Sequence, residues 1–142
     1  MLKSILAAVV VSLGLALAGP VAAQDDPAAV EWQATITGQV EAFRQGDAPG
    51  ALSFAGAEFK QGFPDPNTFL QAIASWGYAP IMTSRSHSFG PYKMTTPDEV
   101  MQDVKFVGAD QLLYEAIYQL DREPEGWRVH GVQLVKTQGV GV

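Results

Sequence analysis

The apolar residues of this chain change their period once, near residue 83, and that switch limits what the chain can fold into. Before it they recur every three to four residues. After it they alternate, with β-branched and aromatic side chains set between turn signals. Helices gathered first and strands gathered after specify an α+β fold, with helices on one face of a mostly antiparallel sheet.

The helical half divides at its punctuation. The spacing predicts a helix over residues 27 to 45, with Asp26 as its cap and Pro27 at the first position, where a missing amide donor costs nothing. Trp32, Ile36, Val40 and Phe43 share one face, and Thr37, Glu41 and Arg44 lie opposite, facing water. Gly46 ends this helix. Asp47 caps a second, short one through Ala51 and Phe54, closed by Gly56. Residues 57 to 66, with Gly62 and two prolines, read as a loop. A third helix runs from Asn67 to Trp76, with Phe69, Leu70, Ile73 and Trp76 on one face. Gly77 stands where a left-handed terminator belongs, and Pro80 bars continuation.

Four strands follow, over about 83–93, 99–107, 111–121 and 127–136. Gly108-Ala109-Asp110 and Glu123-Pro124-Glu125-Gly126 supply the last two turns. In the third strand Leu112, Tyr114, Ala116, Tyr118 and Leu120 point one way, the natural interior side. In the fourth, Trp127, Val129, Gly131, Gln133 and Val135 alternate with Arg128, His130, Val132, Leu134 and Lys136. Both faces of that strand carry apolar groups, which predicts a partly covered outer face. Residues 138–142 read as a frayed tail.

The first 23 residues have the three parts of a secretory signal peptide: Lys3, an apolar run from Ile5 to Ala18, and the small residues Val21-Ala22-Ala23 after Gly19-Pro20. Cleavage is expected after Ala23, which places the mature domain at residues 24–137, in the periplasm or outside the cell. The apolar run is shorter than the roughly 20 residues that span a bilayer, so no membrane span is expected after cleavage. Loss of Lys3 leaves eight basic against 15 acidic side chains. That balance disfavours nucleic acid, whose phosphates would be repelled. The chain has no cysteine. Disulfides, lipid attachment at cysteine, zinc–thiolate sites and thiol nucleophiles are therefore excluded, and one apolar core must hold the domain.

Several short stretches carry a family likeness. Gln39 with Ala42-Phe43-Arg44, Tyr78-Ala79-Pro80, Gly90-Pro91, Ala116-Ile117-Tyr118-Gln119-Leu120 and Gly126-Trp127-Arg128-Val129-His130-Gly131-Val132 resemble an exported bacterial family, the domain of unknown function DUF4864. That family is similar to the NTF2-like, or cystatin-like, superfamily. One departure is Val132, where the resemblance implies a cysteine in many relatives. The resemblance implies a cone: three N-terminal helices packed on a strongly curved, mostly antiparallel four-stranded sheet. The superfamily holds enzymes, ligand binders and interaction modules, so the fold selects no function.

A cone of that kind would be lined by Trp76, Tyr78, Tyr114, Tyr118 and Trp127. Trp32 and Trp76 lie within apolar helical stripes, for which core packing is the default reading. An isomerase-like or hydrolase-like enzyme would need a carboxylate base near hydroxyl donors, and only Asp103 with Tyr114 and Tyr118 fits that need. His87 shares a face with Phe89, and Ser84, Ser86 and Ser88 take the other face, so no triad follows and the strand reads as a polar edge. His87 and His130 lack metal-ligand spacing, and no glycine-rich loop cradles a phosphate, so no metal or cofactor is expected. Three readings stand open. The first is a non-enzymatic domain holding a small apolar ligand in the cone, or merely a packed core. The second is a module that dimerises or binds a protein partner through Leu113, Ile117, Val132 and Leu134 on the outer sheet face. The third is the weak isomerase or hydrolase.

Overall fold

The sheet is a simple meander, and two of its irregularities decide which side chains face inward. In the computed structural model, which describes residues 26–140, the strands are β1 (Ser86–Thr96), β2 (Glu99–Val107), β3 (Leu112–Glu123) and β4 (Gly126–Val140). They pair antiparallel in the order β1-β2-β3-β4. Residues 31–140 belong to one compact unit; the first turn of α1 belongs to an N-terminal unit that ends at Val30.

Among the described residues five α-helices precede the sheet: α1 (Pro27–Arg44), α2 (Ala48–Ser53), α3 (Ala57–Gly62), α4 (Pro66–Ile73) and α5 (Ala79–Met82). The caps act as their chemistry dictates. Asp26 Oδ1 accepts from the Ala28 amide at 3.0 Å, Asp47 Oδ1 from Gly50 at 3.0 Å and Asp65 Oδ1 from Asn67 at 3.0 Å. Two helical expectations need correction. The stretch expected to be loop contains α3, a six-residue turn held by its packing: Phe59 and Phe63 both meet Phe69 edge-on, at 6.0 and 5.5 Å. The third helix also ends earlier. After Ile73 the chain widens into a π turn, Ala74–Tyr78, in which Gly77 has φ +98°. That left-handed conformation suits glycine, as its position suggested. Pro80 does not end the helical segment; it sits in the first turn of α5, where its lost donor is harmless.

The core follows the inward faces. Trp32, Ile36 and Val40 of α1 are buried, as are Val100, Val104 and Phe106 of β2 and Tyr118 and Leu120 of β3. β1 starts at Ser86 rather than residue 83, because Thr83 and Ser84 complete the α5 turn by donating to Ala79 and Ile81 carbonyls. A bulge at Gly90-Pro91 interrupts its pairing with β2, and proline there has no amide to offer. Gln102 fills the gap. Its Nε2 donates to the carbonyls of Gly90 and Asp103 at 2.9 and 2.8 Å, and its Oε1 accepts from Trp32 Nε1 at 2.8 Å. A fully buried amide is thus satisfied at both ends.

The second irregularity falls in β4. Gln119 pairs with Gly131 but Leu120 pairs with Val129, so His130 is an extra residue on the bulged strand. Beyond it the alternation inverts. Val132 and Leu134 now pair with Tyr118 and Ala116 and share their inner face, whereas Gln133 and Val135 stand outward and exposed. This corrects the strict alternation expected for β4, and it removes Val132 and Leu134 from the outer face. The free edge of β4 is partly covered. Val129 donates to Phe54 and accepts from Gly56, forming a parallel bridge centred on Ala55. Backbone pairing continues to Val140 opposite Leu112, beyond Gln138 where the tail was expected to start. The expected signal peptide, residues 1–23, lies outside the described residues. Among the described residues no helix is long and apolar enough to cross a membrane.

Candidate functional site

A cavity of about 200 Å³ lies between the helices and the inner face of β3 and β4. Phe43 of α1, Phe59 of α3, and Phe69 and Ile73 of α4 form its helical wall. Tyr118, Val129 and Val132 form its sheet wall, and Trp76 and Tyr78 of the π turn close one side. Val132 reaches this wall only because of the His130 bulge. No lining side chain is charged. Trp76 is 57% exposed, which corrects its expected place in the core. Its ring meets Phe63 edge-on at 6.1 Å beside the cavity.

The polar groups on these walls are few and separately placed. Tyr78 donates its hydroxyl to the Val132 carbonyl at 2.7 Å, which ties the π turn to β4. Gln39 is buried, and its Nε2 donates to the Ala51 carbonyl at 3.1 Å; the acceptor Oε1 is what this side chain can offer the cavity. Tyr118 is 1% exposed, and its hydroxyl makes no hydrogen bond to any described residue. Burial pushes its ionisation well above the ordinary tyrosine range, the nearby Tyr78 adds to this, and Arg44 opposes it. The phenol is therefore a protonated donor at any physiological pH.

Behind this wall lies a polar chain that helical spacing had assigned to water. Arg44 and Thr37 are half-buried and hydrogen-bonded rather than left to solvent alone. Arg44 donates from Nη2 to Ser84 Oγ at 3.0 Å and to His87 Nδ1 at 3.2 Å, and Thr37 Oγ1 lies 3.0 Å from His87 Nε2. A guanidinium can only donate, so Nδ1 is the acceptor, and Nε2 carries the proton and donates to Thr37. Ser84 precedes β1 and is buried, so it does not belong to an exposed serine face of that strand. Burial and the Arg44 charge hold the His87 pKa below 6.5, against a smaller upward pull from Glu41. Because the folded value is the depressed one, the stabilisation is complete above pH 6.5 and is lost as the pH falls towards the folded pKa. Urea midpoints between pH 7 and 5 should fall more steeply for the wild type than for His87→Gln.

A second cluster anchors α3. Glu123 Oε2 accepts from His130 Nε2 at 2.5 Å and from the Ala57 amide at 3.2 Å, and His130 Nδ1 lies 3.7 Å from Asp121. Burial acts to raise the Glu123 pKa, but the bonds from His130 and Ala57 and the charges of His130 and Lys60 hold it below its ordinary value. The imidazole packs so closely under Gly56 that a Cβ there would sit 2.5 Å from Nε2, so only glycine fits. The cluster thus holds the N-terminus of α3, the helix that carries Phe59 to the cavity.

Of the five cone-lining candidates, Trp76, Tyr78 and Tyr118 meet at the cavity and two do not. Tyr114 donates to Asp110 at 2.6 Å and braces the β2–β3 turn. Trp127 is buried, packs edge-on against Trp32 at 5.4 Å and lies under the Arg122 guanidinium at 4.8 Å. Asp103 is exposed and alternates with buried Val104, so it does not join the tyrosines. Asp103, Tyr114 and Tyr118, the set expected for an isomerase-like or hydrolase-like enzyme, are thus not brought together. Among the described residues no three His, Asp or Glu side chains are placed to hold a metal ion. Phe59 and Gln39 were missed as lining residues. The first fell in a stretch read as loop, and the second is polar but turns inward on α1.

The family described as Domain of unknown function (DUF4864) matches residues 25–142. The chain belongs to this family. Two solved structures resemble the DUF4864 chain. One is a domain of unknown function with a cystatin-like fold from Nostoc punctiforme, 12% identical over 80% of this chain and 78% of that one, with a TM-score of 0.53. The other is a candidate dehydratase of the NTF2-like family from Streptomyces avermitilis, 14% identical over 78% of this chain and 97% of that one, with a TM-score of 0.49. At such identity the first shares the fold alone. No curated protein matches the DUF4864 chain. The fold is the cone of helices on a curved, four-stranded antiparallel sheet that the resemblance implied.

Proposed function

We propose that this protein is a non-enzymatic binding module for a small, mostly apolar ligand, held in the cavity between α4, the π turn and the inner face of β3–β4. The observation that carries the reading is the cavity itself: about 200 Å³ of space walled by Phe43, Phe69, Ile73 and Val132. Interiors pack as densely as organic crystals, and unfilled apolar space costs contacts on every wall. A ligand that restores those contacts stabilises the fold by mass action. Trp76, exposed at the π turn beside Gly77, supports an entry path, since that segment is tied to β4 through one hydroxyl. We further propose that the chain is exported with cleavage after Ala23, so that the ligand is met in the periplasm or outside the cell.

Calorimetric titration with toluene tests the cavity reading. One equivalent should bind, with a dissociation constant of about 0.1–1 mM, the range that burial of a single hydrocarbon ring supplies. Ile73→Trp, which fills the space, should abolish that binding while the variant stays folded. Toluene binding that is absent, or that survives in the filled variant, sinks the reading.

A further inference from the structure

The cavity has one feature that a purely hydrocarbon ligand would leave unmet. Tyr118, 1% exposed as a residue, lines the sheet wall, and no hydrogen bond joins its hydroxyl to another described residue. A tyrosine hydroxyl set among apolar groups normally finds a polar partner, and an acceptor that reaches this wall can supply one. The other side-chain donors at hand are already engaged. Tyr78 is spent on Val132, and the Gln39 amide nitrogen on Ala51. The phenol keeps its proton, so it offers a donor that calls for an acceptor.

The remaining walls set size and charge. An apolar cavity of about 150 Å³ is large enough to take benzene. The space here, about 200 Å³, suits one ring with a small substituent. Phe43, Phe59, Phe69, Trp76 and Tyr78 contribute aromatic surface, which packs well on a planar ligand. No charged side chain lines the cavity, so an ion entering it would lose its hydration with no counter-charge in contact. Arg44 lies behind the wall, occupied with Ser84 and His87, and its field favours the negative end of a dipole near Tyr118.

Resting on the binding function proposed above, we infer that the ligand is a neutral, single-ring-sized molecule with one hydrogen-bond-accepting oxygen, such as a carbonyl, which accepts from the Tyr118 hydroxyl. The ring fills the aromatic end and the oxygen meets the sheet wall.

Two probes of one shape separate the claims. Acetophenone and α-methylstyrene differ only in carrying an oxygen or a methylene at the same position. Calorimetry on the full mature chain should show acetophenone binding about tenfold more tightly. In Tyr118→Phe, which keeps the ring and removes the donor, that preference should fall to within about twofold, with α-methylstyrene affinity unchanged; binding of the hydrocarbon also reports that the variant is folded. Equal affinity of the two probes in the wild type overturns the oxygen-accepting class and leaves the cavity reading standing. A preference for acetophenone that persists in Tyr118→Phe overturns the role of Tyr118. Failure of both probes to bind the wild type overturns the cavity reading itself.

Discussion

Replacing Trp32 with alanine should cost the domain about 3–5 kcal/mol, a large share of the 5–15 kcal/mol that domains of this size hold in reserve. The side chain is 1% exposed and meets Tyr92 and Trp127 at 5.0 and 5.4 Å between ring centres. Two losses combine. The first is the cavity left by an indole. The second is the Nε1–H bond to Gln102, whose amide also supports the bulged carbonyls of β1. With no disulfide to constrain the unfolded chain, nothing offsets the loss. Urea denaturation should show the midpoint displaced by well over 1 M or the transition absent altogether. Trp32→Phe, which removes only the donor and part of the volume, should lie between the two.

The second large effect compares two valines three residues apart. Val132→Asp should destabilise the fold by about 3 kcal/mol or more, because the carboxylate would enter an apolar wall with no counter-charge. Val135→Asp should change stability by no more than about 0.5 kcal/mol, since Val135 is 47% exposed on the outer face. Strict alternation along β4 would place residues 131, 133 and 135 on the inner face and Val132 outside. The bulge at His130 inverts that assignment. Thermal melts of the two variants read the inversion directly, and equal losses would contradict it.

That bulge shows where sequence reasoning succeeds and where it stops. Period alone revealed the α+β order, the inner face of β3 and the caps at Asp26 and Asp47, because these depend on neighbours along the chain. Its limit is pairing. Nothing local marks His130 as an extra residue; the shift follows from Val129 bonding across to Phe54 and Gly56 and from His130 turning to Glu123. The same holds for Arg44 and Thr37. Their places on the helix wheel say water, yet His87 and Ser84 arrive from 40 to 50 residues away and satisfy them. Trp76 fails in the opposite sense. It continues an apolar stripe, but the π turn rotates it out beside the cavity mouth. The tyrosines divide for a similar reason. Tyr114 and Tyr118 share a strand face, yet Asp110 in the adjoining turn claims the first and leaves the second for the cavity.

A methyl-resolved NMR titration tests the binding cavity most directly. Adding α-methylstyrene to the mature chain should produce saturable shifts at the methyl groups of Ile73, Ile81, Val129 and Val132, which line the cavity. Ile117 on the outer sheet face should stay unmoved. Saturable shifts confined to the outer face, or no saturable shift at the four lining residues, would contradict the account.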